Sequence, residues 1–305
     1  MLANNTTLKI DGVGAQIQRL ISIYSLSKIL KIDFRQNSFI DISVHALDPF
    51  QDLESKASFI GQMNRLFQID IPGGSSLPQK MELKSLSSWK LLMIVIKHLP
   101  QKNALLLNVV EPYSITDAFP NLTVAAKDIF PNWTSFADDL VRSLSRPLIS
   151  IHYRQGVGGL AVYPGQKISR EMPPEYFLSK LQNLPISTTS KSCFHLFTDA
   201  PVNDVVYRPQ TDQHEHWLGT PGFNDGVMNI GGKDLQSFFK QHGADAHLHI
   251  GGNPLEAIAI MSKSDFLITS RSSLSYVAGL LNLHGVVVAA EGFWHPAPRT
   301  WIIDY

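Results

Sequence analysis

Apolar positions along the chain alternate between short runs and longer stretches with a 3.6-residue period. Residues 8–10 (Leu-Lys-Ile) read as a first strand, and Asp11-Gly12-Val13-Gly14 as a tight turn. A helix is predicted over residues 15–31, because Ile17, Leu20, Ile21 and Tyr24 recur at i, i+3, i+4 and i+7. Residues 39–44 and 105–110 read as further strands, with helices predicted between them over 55–67 and 83–98. Residues 113–146 read as helix and loop, broken by Pro120 and Pro131 and closed by Pro147. The alternation then restarts. Strands are predicted at 148–153, 192–198, 246–250, 265–269 and 285–290, with helices at 174–184, 234–242, 254–263 and 272–282.

Local chemistry sharpens two of these helix starts. Asn253 can cap, Pro254 suits the first helical position and Glu256 can close a capping box. Ser272 opens the helix over 272–282 in the same way. Repeated strand–helix order in both halves predicts an α/β fold of two Rossmann-like domains, residues 1–146 and 147–305.

Bulk composition narrows the function classes. The chain has 305 residues, about twice the length typical of one domain. Lys and Arg total 26 and so do Asp and Glu, so there is no broad field for nucleic acid or an anionic membrane. Cys193 is the single cysteine, so no disulfide within the chain is available. That feature and the lack of a signal-peptide pattern point to the cytoplasm. No apolar run reaches the 18 or so residues of a membrane span.

The chemistry concentrates at strand ends. Residues 148–156 deliver His152 and Arg154 to the C-terminal edge of a buried strand, where open α/β sheets bind anions. Arginine keeps its charge and binds phosphate through directed hydrogen bonds. Thr269-Ser270-Arg271-Ser272-Ser273 follows a strand and opens a helix, which suits a phosphate cradle of backbone N–H groups and hydroxyls at Ser272 and Ser273. Asp199 ends a third strand, where a carboxylate can accept hydrogen bonds from a ribose or base. Gly12 and Gly14 allow close backbone approach at the head of a helix, but Ile17 breaks a G-x-G-x-x-G dinucleotide fingerprint. His214, His216, His247 and His249 lack H-E-x-x-H spacing, and no cysteine pair exists, so no metal site is expected. A G-x-S-x-G elbow and a Walker-type phosphate loop are absent, and no cofactor is called for.

In order along the chain, these motifs resemble the fucosyltransferase-like group of GT-B glycosyltransferases, in particular the α-1,2-fucosyltransferase family. Gly12-Val13-Gly14-Ala15-Gln16 matches its G-x-G-x-Q turn, and His152-Tyr153-Arg154 the first half of its H-x-R-R-x-D motif. Gln155 and Val157 replace the second arginine and the aspartate. Thr198-Asp199 matches a T-D strand end, residues 271–277 match an N-S-S-F-S-W-W-like segment, and Trp294 fits a tryptophan after the last strand.

The resemblance implies two domains facing a cleft. Residues 1–146 would hold the glycan acceptor and residues 147–305 a nucleotide-sugar donor, either GDP-fucose or, given the altered motif, UDP-xylose. It further implies inverting, metal-independent transfer. Arg154 neutralises the departing diphosphate with Ser272 and Ser273. His152 and Asp199 hold the nucleotide, and Asp11, His45 or Asp48 takes the acceptor proton, Asp11 first among them. The alternative is a non-catalytic nucleotide-sugar or carbohydrate-binding protein on the same fold.

Overall fold

The computed structural model describes residues 2–6, 11–30, 33–42, 52–68, 79–83, 105–109, 130–154, 172–186, 193–199, 205–207, 227–229, 232–293, 295, 297–298 and 300–303. The chain divides into two compact units. One comprises Met1–Ser43, Asp52–Phe136 and His295–Arg299; the other comprises Val44–Gln51, Ala137–Trp294 and Thr300–Tyr305.

The first unit is built on a four-stranded parallel sheet of β1 (Leu2–Thr6), β2 (Asp33–Arg35), β3 (Gln79–Leu83) and β4 (Leu105–Val109), in the order β2-β1-β4-β3. Helix α1 (Val13–Leu30) follows β1 and buries Ile17, Leu20, Ile21 and Ile23. Helix α2 (Leu53–Leu66) begins at a reciprocal capping box between Asp52 and Ser55. It turns Phe59, Met63 and Leu66 inward. Phe67 packs between Phe130 and Trp133 of α3 (Pro131–Val141) with ring centroids 5.1 and 4.9 Å away.

Three sequence expectations change here. The first described strand is Leu2–Thr6, ahead of residues 8–10, which were expected to open the fold and lie outside the described residues. Its polar Asn4 and Asn5 are tolerated because β1 is an interior strand whose backbone is paired on both sides, by β2 and β4. Residues 39–42 form no strand, and the second strand is Asp33–Arg35 instead. The apolar Phe39 and Ile42 are buried as expected. The Asn64 side chain, however, takes up the backbone of Phe39, accepting from its N–H at 2.7 Å and donating to its carbonyl at 3.0 Å. A ladder partner is thereby replaced. Leu83 closes β3 rather than opening a helix, and residues 84–98 lie outside the described residues.

The second unit carries a five-stranded parallel sheet. Its strands are β5 (Ile149–Tyr153), β6 (Cys193–Thr198), β9 (Asp245–Ile250), β10 (Phe266–Ile268) and β11 (Val286–Val288). A separate antiparallel pair, β7 (Val205–Tyr207) and β8 (Val227–Asn229), falls between β6 and β9 in the chain. The sheet order is β11-β10-β5-β6-β9. The chain thus steps outward from β5 through β6 to β9, then returns to the other side of β5 for β10 and β11. This is the doubly wound pattern, and its topological switch point lies between β5 and β10.

Strand alternation gives the sheet two different faces. Ile149, Ile151 and Tyr153 of β5, with Phe194 and Leu196 of β6, join a core closed by Phe177 and Leu181 of α4 (Pro174–Asn183) and by Leu235 and Phe239 of α5 (Gly232–Gln241). Ser150 and His152 alternate with these and are also buried, so each needs a polar partner. Ser150 receives one from Ser264 at 2.7 Å. Helices α6 (Pro254–Ser262) and α7 (Ser273–Leu281) start at the caps expected: Asn253 accepts from Leu255 N, and Ser272 from Leu274 N. Glu256 completes the α6 cap differently from expectation, accepting from the Asn253 side chain at 3.4 Å.

Helix α7 is seated by a close approach. A Cβ at Gly279 would fall 2.5 Å from Cζ2 of Trp301, whose ring also packs at 5.2 Å from Tyr276. A Gly279→Ala substitution is expected to destabilise the protein by about 1–3 kcal/mol through overpacking, read as a lower midpoint in urea unfolding. An unchanged midpoint would show that this packing gives way freely.

Candidate functional site

The carboxyl edge of the five-stranded sheet gathers most of the chemistry expected of the second half. His152, the fourth residue of β5, is buried, and its Nδ1 lies 2.6 Å from Oγ of Ser270, just past β10. This bond joins the two strands that flank the switch point. Ser270 is itself fixed, since its backbone N–H donates to Oγ of Ser275 at 3.2 Å. Burial, and secondarily the nearby Arg154 charge, push the His152 pKa from 6.5 down to about 3, so the imidazole is neutral at physiological pH.

Arg154 leaves the end of β5 and forms an ion pair with Asp199, which leaves the end of β6. Both side chains are largely shielded, at 14% and 15% relative exposure. The pair therefore lies in a partly dehydrated environment, where the attraction is stronger than on an open surface. Asp199, expected to meet a ribose or base, is paired with Arg154 in this structure.

Ser272 spends its hydroxyl on the cap of α7, accepting from Leu274 N at 3.3 Å, and Ser273 is the first residue of that helix. The open N–H groups of α7 and its positive dipole end thus sit beside the His152–Ser270 bond. The structure brings His152, Arg154, Asp199, Ser272 and Ser273 to one sheet edge. Ser270 lies in the Ser-rich segment read as a phosphate cradle, but its pairing with His152 depends on strand order, which the sequence does not carry.

The face of β6 and β9 opposite the core carries a ladder of rings. His195 Nδ1 lies 2.9 Å from His249 Nε2, and Phe197 stacks on His249 at 4.4 Å with 10° between planes. Burial first, then the neighbouring His249 and His247, bring the His195 pKa down to about 4. Among the described residues no group of three or more His, Cys, Asp or Glu side chains is placed to hold a metal ion. His214 and His216 lie outside the described residues.

The N-terminal candidates are only partly visible. Asp11 precedes α1, and its carboxylate accepts from Gly12 N at 2.8 Å and forms an ion pair with the buried Arg19. Gln16 Nε2 donates to the carbonyls of Asp11 and Asp41, each at 2.8 Å. Gly12 sits at the helix entrance, whereas Gly14 is already inside α1, because the helix starts two residues earlier than its hydrophobic period suggests. His45, Asp48, Gln155, Val157 and Trp294 lie outside the described residues. No described helix is long and apolar enough to cross a membrane.

No protein-family model and no curated protein sequence matches the chain. Solved structures do. POFUT1 in complex with GDP-fucose aligns over 95% of this chain and 98% of its own, at 9% identity and a TM-score of 0.49. A point mutant of Arabidopsis thaliana FUT1 in complex with GDP aligns over 97% and 72%, at 13% identity and a TM-score of 0.46. The E. coli heptosyltransferase WaaC with ADP-2-deoxy-2-fluoro heptose aligns over 99% and 92%, at 10% identity and a TM-score of 0.38. With identities this low and TM-scores this small, the likeness assigns no function to the chain.

The buried His152 makes stability pH-dependent in a defined direction. Its folded pKa of about 3 is below the ordinary 6.5, so the unfolded chain binds the extra proton first as pH falls. Stability from this group is complete above pH 6.5 and declines between there and about 3. The slope approaches about 1.4 kcal/mol per pH unit. Urea unfolding of wild type and His152→Gln at pH 7 and pH 5 is expected to show a smaller pH effect in the variant. Equal pH effects would remove His152 as the cause.

Proposed function

We propose that the chain is a GT-B glycosyltransferase that moves a sugar from a nucleotide-sugar donor, GDP-fucose or UDP-xylose, to a glycan hydroxyl. Residues 147–305 take the donor and residues 1–146 the acceptor. The observation that carries this reading is the convergence of Arg154, the His152–Ser270 pair and the N-terminus of α7 on one carboxyl edge, at a topological switch point. Such an edge suits a diphosphate, because it combines a fixed cation with backbone donors and a helix dipole.

Chemically, the acceptor oxygen attacks the anomeric carbon while the bond from that carbon to the β-phosphate oxygen breaks. The electron pair leaves with the nucleoside diphosphate, and a single displacement inverts the anomeric centre. Negative charge grows on the leaving diphosphate, where Arg154 and the donors of α7 stabilise it without a metal ion. Asp199 keeps Arg154 aimed before the donor arrives. His152, neutral and bonded to Ser270, fixes the β10 turn and supports the nucleotide.

The acceptor proton goes to a carboxylate or imidazole of the N-terminal half. Asp11, His45 and Asp48 are the groups assigned to that duty. Gly12 and Gly14, assigned to donor binding, let the protein backbone at the head of α1 approach the nucleotide sugar closely. The engagement of Asp11 by Arg19 gives it a structural duty as well.

Arg154→Ala is expected to lower sugar transfer at least about hundredfold, the scale for loss of a transition-state charge donor. Transfer near the wild-type rate would remove Arg154 from the diphosphate. Wild-type transfer is expected to persist in excess chelator, and its loss there would overturn the metal-free mechanism. Titration with GDP- and UDP-sugars followed by product analysis completes the test: binding without any product would identify a carbohydrate- or nucleotide-binding protein instead.

Asp11→Ala is expected to cost about 1–3 kcal/mol, because it strips a partner from the buried Arg19 guanidinium. Thermal unfolding checks this independently of transfer.

A further inference from the structure

The Ser-rich turn at the switch point carries a second arginine that the mechanism above leaves unused. Arg271 stands between Ser270, the partner of His152, and Ser272, the cap of α7. On the neighbouring strands β5 and β10, Ile151 is paired with Ile268. Three residues further along each chain come Arg154 and Arg271. The two arginines therefore leave adjacent parallel strands at the same carboxyl edge, one from each side of the switch point.

Arg271 is held there by a specific contact. Its Nε donates to the carbonyl of Glu291 at 2.6 Å, while the Glu291 carboxylate is taken by Lys180 at 3.0 Å. The turn after β11 thus orients the guanidinium through a neutral oxygen. The side chain is half-buried. Its pKa is lowered by desolvation, which the nearby Tyr176 and Glu291 only partly offset. Arg271 directly precedes Ser272, the cap of α7, where the helix dipole disfavours positive charge. An anion bound at the same place reverses that balance.

We propose that Arg271 is a second phosphate-binding cation of the donor site, contacting the terminal phosphate of the donor's diphosphate from the β10 side while Arg154 holds the diphosphate from the β5 side. The proposal rests on the nucleotide-sugar reading above. A diphosphate offers two phosphorus centres, and a guanidinium fork satisfies the oxygens of one of them best.

Calorimetric titration of wild type, R271Q and R271K with GDP and GMP, and with UDP and UMP, tests it. R271Q is expected to weaken binding of the preferred diphosphate about ten- to hundredfold, the scale for one charge-assisted contact, while monophosphate binding stays near wild type. R271K keeps the charge without the fork and is expected to show a smaller loss of the same selectivity. It carries the test alone if R271Q does not fold. Equal losses for diphosphate and monophosphate would make Arg271 a tether of the Glu291 turn and overturn the proposal. Undiminished diphosphate binding in R271Q would overturn it and leave the nucleotide-sugar reading standing. A wild-type protein that binds neither diphosphate would overturn that reading, and the role of Arg271 with it.

Discussion

The hydrogen bond between His152 and Ser270 joins the two halves of the five-stranded sheet at its topological switch point. Winding outward from β5 in both directions leaves the carboxyl ends of β5 and β10 adjacent at the switch point. That geometry makes a crevice, but it also puts a polar side chain of a fully buried strand in need of a partner. Ser270 meets the need, and Ser275 in turn fixes Ser270. The turn that opens α7, the position of its N-terminus and the placement of Arg154 and Arg271 all follow from this one junction. Because burial holds His152 neutral, the bond carries no net charge and leaves the positive potential of the edge to the arginines and the helix.

Arg154 and Asp199 illustrate how the proposed phosphate-binding cation would be kept ready. A lone guanidinium at 14% exposure would pay a desolvation penalty in the empty protein. Pairing with Asp199 offsets that penalty and narrows the orientations available to the arginine. An incoming anion then meets a cation already in place, so less ordering is required on binding. The cost is competition, since the carboxylate and the ligand share the same positive charge. Arginine tolerates such sharing better than lysine does, because its five donors point in several directions.

Local signals are legible in the sequence, and long-range pairings are not. The caps at Asn253 and Ser272 announce their helices through side chains that bond two residues away, so their positions were legible. Strand β5 was legible because Ile149 and Ile151 are apolar and Arg154 and a glycine follow. Strand β1 was hidden, since Leu2–Thr6 owes its strand conformation to neighbours on both sides rather than to its own composition. Residues 39–42 misled in the opposite way: their apolar pattern is genuine, but Asn64 pins the backbone without a sheet. At the site, His152, Arg154, Asp199, Ser272 and Ser273 were each visible at a strand end. Which of them touch depends on strand order, and a single sequence does not contain it. Ser270 and the Arg154–Asp199 pair entered only with the fold.

The seat of α7 has a consequence for how the protein is made. Gly279 lies against Trp301, and Ile302 adds a backbone bond to Val287 at 2.9 Å while accepting one from Ala289 at 2.8 Å. Helix α7, whose N-terminus lies at the carboxyl edge of the sheet, is therefore clamped by residues synthesised after it. During translation the ribosome releases His152, Arg154 and the whole of α7 before their clamp exists. The packing that seats α7 is accordingly complete only once residues 301 and 302 have been made, long after the strand that carries His152.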